Sequence, residues 1–171
     1  MENKENITVL HNLLDYDFCR YLSAEMQLKN SIPAWIEHTS SLELRLIMSK
    51  YLNVVQQHLN KIRKFFDDEK MIPVSLANGL MAKYIEETNE KLINTALSER
   101  DACMLAGLQH INRCKMSKYG VAATFANALA LEAAAILFLE LENNEKGIEC
   151  RLFQLARPDI SSFAVLSHLF A

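Results

Sequence analysis

Six polar residues interrupt stretches that are otherwise apolar at helical spacing: Glu25, His58, Asn112, Lys115, Glu145 and Glu149. Carboxylates and an imidazole are the donors that iron, manganese or zinc accept. An amide and an ammonium are not good company for a cation, since Lys115 repels it and Asn112 brings no charge to offset it. The segment QHINRCKMSKYG, residues 109–120, thus places Asn112 and Lys115 where leucines are expected. A buried Glu without a partner either takes up a proton or destabilises the fold. Lys115 supplies such a partner for Glu25, Glu145 or Glu149, with Asn112 and His58 completing the hydrogen bonds. Two alternatives stay open: Lys115 snorkels outward between helices, or Glu25, His58, Glu145 and Glu149 hold one Fe, Mn or Zn ion.

Other chemistry finds no anchor. Cys19, Cys103, Cys114 and Cys150 are scattered singly, without the paired spacing of a zinc module, and read as small hydrophobes in a reducing compartment. Cys114 lies between Arg113 and Lys115, yet no helix N-terminus beside it makes it a nucleophile. The histidines at 11, 38, 58, 110 and 168 are dispersed, and only His58 falls on an apolar stripe. There is no glycine-rich phosphate loop, HExxH or Ser-His-Asp spacing, so hydrolase and nucleotide chemistry drop out.

The elements that must position these residues can be read from periodicity. Leu10, Leu14, Phe18, Leu22, Leu28 and Ile32 predict a first helix over about 7–37, with Pro33 bending its last turns. Ser40 and Glu43 fit a capping box that opens a second, about 40–67, striped by Leu44, Met48, Tyr51, Val55, His58 and Ile62. Residues 69–97 form the longest connection, with a crossover helix over about 76–88. A third long helix is expected over about 98–126 and a fourth over 131–156, stopped by Arg157-Pro158. The apolar tail 159–171 fits one more short helix, docking on the bundle or on a partner subunit.

Two helical pairs joined by one long crossover is the ferritin-like form of the four-helix bundle, whose inner faces can carry glutamates and Glu-x-x-His pairs for two metals. The expected fold is therefore all-α: a ferritin-like up-down bundle in a single domain, 1–171, with a short crossover helix and a short C-terminal helix. Composition agrees, since 171 residues with 50% hydrophobic content but only 4 Gly and 3 Pro leave few turn formers for a sheet. The net charge of −3 gives no footprint for nucleic acid, and the KIRK cluster at 61–64 reads as a solvated face. The polar start MENKENITVL and the short run AAAILFL at 133–139 suit neither a secretory signal nor a membrane span, so a cytoplasmic protein is expected.

Several short motifs follow one another along the chain: Ala24-Glu25-Met26-Gln27-Leu28 on the first helix, TSSLEL at 39–44, Ala77-Asn78-Gly79-Leu80 in the crossover and Glu145-Lys146-Gly147-Ile148-Glu149 on the fourth helix. Their order resembles that of the YciE/YciF ferritin-like family of bacterial stress-associated proteins. Family members typically read E-H-Y-E-I-A-x-Y-G on the third helix, where this chain has NRCKMSKYG at 112–120. The Tyr-Gly end is kept, and both glutamates are replaced, by Asn112 and Lys115. On the second helix Val54 and Val55 stand where the family pattern has Glu-Thr, and His58 alone remains.

The resemblance implies a homodimer and a link to stress, while the departures imply a degenerate di-metal centre. Three negative charges of the family pattern are gone and one positive charge is added, too little anion for two divalent ions in a low-dielectric interior. The chain therefore reads as a binding or structural protein without a cofactor, not an enzyme. The alternative is a mononuclear site for Fe, Mn or Zn built from Glu25, His58, Glu145 and Glu149.

Overall fold

Apolar residues at steps of three and four organise the described residues, 2–72 and 74–157 of the computed structural model, into five helices with no strand among them. These are α1 (Glu2–His38), α2 (Leu42–Asp68), α3 (Gly79–Asn94), α4 (Leu97–Ala128) and α5 (Glu132–Ala156). The expected tail helix over 159–171 lies outside the described residues.

The helix ends have identifiable causes. Ser41, not Ser40, caps α2: its Oγ accepts from the backbone N–H of Leu44, while the N–H groups of Ser40 and Ser41 donate to the Asp101 carboxylate at the start of α4. The first helix begins at Glu2 and continues through Pro33 to His38. Pro33 is exposed, and the flanking Ile32 and Trp35 are buried, so packing outweighs one missing backbone hydrogen bond. The crossover helix starts at Gly79 because Asn78 caps it through Met81 N–H. It runs on to Asn94, six residues past the expected end, because buried Met81, Thr88 and Leu92 seat it on the core. Both α2 and α4 close with a residue in the left-handed region, Lys70 (φ 52°) and Ala130 (φ 57°). There Met71 N–H reaches Phe66 O and Leu131 N–H reaches Ala126 O, each at 2.9 Å, the Schellman pattern.

α1 packs along α2 and α4 along α5, while α2 also lies against α5 and α1 against α4. The connections 39–41 and 129–131 are short, so each pair is antiparallel. α3 covers the α1/α4 side, and Gly107 permits its approach: a Cβ there would sit 2.7 Å from Thr88 Oγ1.

Two apolar clusters fill the interior. One gathers Trp35, Leu44, Met48, Met104, Leu108, Ile148 and Leu152 around the start of α2; the other gathers Leu14, Phe18, Phe66, Ala126, Ala134 and Phe138 around its end. Between them, at mid-height, sits a layer of buried polar side chains.

Candidate functional site

Each long helix delivers to this layer from a stripe that is apolar on either side. Glu25 is flanked on α1 by Tyr21 and Leu28, His58 on α2 by Val55 and Ile62, Lys115 on α4 by Ile111 and Tyr119, and Glu145 on α5 by Leu141 and Ile148. Glu25, His58, Asn112 and Glu145 have no exposed surface, and Lys115 retains 4%.

Lys115 stands at the centre. Its Nζ lies 2.6 Å from Glu145 Oε1 and 2.9 Å from Glu25 Oε1, and it donates to Glu25 Oε2 at 3.1 Å. It also sits over the Tyr51 ring, 4.8 Å from the centroid. Further contacts to the two carboxylates come from side chains of α2 and α4. Glu25 Oε1 accepts from Tyr119 Oη and faces His58 Nδ1 at 3.1 Å. Glu145 Oε2 accepts from Tyr51 Oη at 2.9 Å and from Asn112 Nδ2 at 2.6 Å, and the same amide donates to Glu145 O at 3.1 Å. His58 Nδ1 also lies 3.4 Å from Glu145 Oε1, and His58 Nε2 meets Asn144 Nδ2 at 3.4 Å. Asn112 Oδ1 is left buried with no partner.

The electrostatics reflect this crowding. Burial alone would raise the Glu25 carboxyl, but the Lys115 charge, His58 and the Tyr119 hydrogen bond overcome it and hold the group well below its ordinary range. Burial would lower the Lys115 ammonium, and Glu145 and Glu25 together push it up instead. Tyr51 and Tyr119 are driven well above the usual phenol range by burial and by the same two carboxylates. Both phenols therefore stay protonated donors.

The structure brings together Glu25, His58, Asn112, Lys115 and Glu145. It does not bring Glu149 with them. That carboxylate is one turn beyond Glu145, rotated toward the outer α4/α5 seam, where its Oε1 accepts from Arg113 Nε at 2.7 Å. The outward course for Lys115 is likewise overturned, because its ammonium points into the layer and its side chain is 3% exposed. Tyr51, Tyr119 and Asn144 also belong to the site, although the sequence pattern did not single them out for it. The signal was present for the two tyrosines: Tyr51 precedes His58 by seven residues and Tyr119 comes four after Lys115, so both share those stripes.

Glu25, His58 and Glu145 present one ligand atom each within 4.8 Å of one another. Two divalent ions do not fit this set. Among the described residues two carboxylates face inward, and Lys115 Nζ contacts Oε1 of both, the atoms that ions would need. A single ion would require the same oxygens and the removal of the ammonium.

A family model described as a domain of unknown function (DUF892) matches residues 10–165. The chain belongs to that family. Protein YciF of Escherichia coli strain K12 is 28% identical over 144 residues, covering 83% of this chain and 87% of the relative. The crystal structure of the E. coli stress protein YciF superposes with a TM-score of 0.82 at 26% identity, over 86% of this chain and 94% of that one. YcfI from Rhodopseudomonas palustris gives the same TM-score at 20% identity, over 86% and 95% of the two chains, and speaks for the fold alone.

Proposed function

We propose that this DUF892 chain is a single-domain ferritin-like four-helix bundle whose interior metal place is held by Lys115, and that it acts as a stress-related structural or binding protein. It is not an enzyme in this reading, and it works without a cofactor, as a cytoplasmic homodimer. The observation that carries the reading is the position of Lys115 Nζ, 2.6 Å from Glu145 and 2.9 Å from Glu25. An ammonium there offsets buried carboxylate charge as a cation would, without an open coordination position for substrate or oxygen. The likeness to a protein titled a stress protein supports the stress link.

One observation favours a second reading, a mononuclear Fe, Mn or Zn site: Glu25, His58 and Glu145 already converge within 4.8 Å. The surviving set lacks Glu149, and Lys115 must leave before the ligands are free. Metal analysis of protein purified without chelator separates the two. Substoichiometric metal is expected, whereas one ion per chain that is lost in His58→Ala would replace the first reading with the second.

A further inference from the structure

Where α2 and α4 end and α5 begins, the end of the bundle opens as a pocket of about 390 Å³. Leu14 and Phe18 of α1 and Ala134 of α5 are its buried floor, and Phe65, Met71 and Leu131 are its half-buried walls. Phe18 and Phe65 stack on one another, with ring centroids 4.8 Å apart and planes 10° from parallel, so each ring holds the other in place. A pocket of this size with apolar walls and a few placed polar groups is the usual form of a small-molecule site.

The charged groups here are of one sign. Asp15, Glu69 and Glu132 line the pocket, and among the described residues no lysine, arginine or histidine lines it. None of the three carboxylates forms an ion pair among the described residues. Their own helices do not account for all of them. Glu132 is in the first turn of α5, where a carboxylate complements the helix dipole, but Glu69 is the C-cap of α2, where a carboxylate opposes it. Neither α2 nor α4 has a basic residue in its last turn, and Lys70, next to Glu69, is exposed and outside the lining. Two negative helix ends and three carboxylates therefore converge on one mouth, a local conflict of the kind that functional sites retain.

We propose that this pocket binds a small organic cation, an ammonium group carried on an aromatic or alkyl body. The body lies against Phe18, Phe65, Met71 and Leu131, and the ammonium stays at the mouth among Asp15, Glu69 and Glu132, beside the negative ends of α2 and α4. Charge complementarity selects this occupant: an alcohol of the same shape keeps the apolar contacts without the attraction, and a carboxylate is repelled. The pocket shares no residue with the polar layer, so failure of the proposal would leave the functional reading above untouched.

Nuclear magnetic resonance titration of the full chain with methyl-labelled methionine tests it, because Met71 reports from the pocket wall and the other methionines serve as references. The probe is phenethylamine, with phenylethanol as its uncharged counterpart and phenylpropionate as its anionic one. Phenethylamine is expected to shift the Met71 methyl signal saturably with a midpoint below about 1 mM at low salt, and phenylethanol to bind at least about tenfold more weakly. Glu69→Gln should weaken phenethylamine binding about tenfold, whereas Glu90→Gln, the same charge change at an exposed position of α3, should leave it within about twofold. Ala133→Phe, which fills the mouth from an exposed position of α5, should abolish the shift. A Met71 signal that does not saturate or that still shifts in Ala133→Phe, equal affinity for the amine and the alcohol, binding of phenylpropionate, or equal losses in the two glutamine variants would each overturn the proposal.

Discussion

At the scale of single residues, the interior layer is a charge problem that Lys115 meets from within the chain. Two buried carboxylates face one ammonium, and the rest of the offset comes from charge-assisted hydrogen bonds from Tyr51, Tyr119, Asn112 and His58. Removing the cation leaves the two carboxylates facing each other in a dry interior. Lys115→Met should therefore lose about 3–5 kcal/mol, the magnitude for breaking a buried pair from one side, read from urea unfolding at pH 7. Loss of less than about 1 kcal/mol would show that the pair carries little of the stability.

The same contacts set a pH dependence with two limbs. Glu25 is lowered from its ordinary 4.5, so its contribution is complete above that value and is lost as pH falls through the depressed one. Lys115 is raised from 10.5, so its contribution is complete below that value and is lost as pH rises through the elevated one. The urea midpoint should be flat between about pH 5 and 10 on account of these two groups and fall on both sides. In Lys115→Met the Lys115 share of the alkaline fall should disappear, leaving the share that the raised Tyr51 and Tyr119 phenols contribute.

At the scale of elements, both Schellman ends hold a side-chain residue where glycine is favoured. Ala130→Gly relieves the left-handed φ of 57° without disturbing the N–H of Leu131, and should raise stability by up to about 1 kcal/mol in thermal unfolding. The opposite substitution at Gly107 presses a methyl against Thr88 Oγ1 on α3, and Gly107→Ala should cost about 1–3 kcal/mol. The long helices were legible in the sequence because stripes such as Leu44-Met48-Tyr51-Val55-His58 repeat over many turns. The α3 end was not, because Leu92 becomes a core residue only when α4 is beneath it. The same limit applied to the site. Glu25, His58, Asn112, Lys115 and Glu145 fall where apolar neighbours predict burial, whereas Glu149 differs from Glu145 by a rotation of about 40° around α5, a distinction that depends on where α4 lies. A capping serine one position from the expected one is the same kind of shift. Ser41 is selected because Asp101, sixty residues later, fixes the backbone of the preceding turn.

At the scale of the whole molecule, two apolar clusters clamp a polar layer in which Lys115 and neighbouring hydrogen-bond donors offset two carboxylates, so the bundle should be folded and stable without added metal. If Lys115 holds the centre as proposed, extended treatment with a chelator is expected to leave the thermal midpoint within about 2 °C, since no ligand of the folded state is then removed. Everything turns on what occupies the space between Glu25, His58 and Glu145. A crystallographic map from crystals grown in excess manganese or zinc, with anomalous differences recorded at the metal edge, reads that space without an intermediary. Continuous density for Lys115 ending between Glu25 and Glu145 is expected, with no anomalous peak there. An anomalous peak bonded to Glu25, His58 and Glu145, with Lys115 displaced, would mean that a metal and not the ammonium holds the centre.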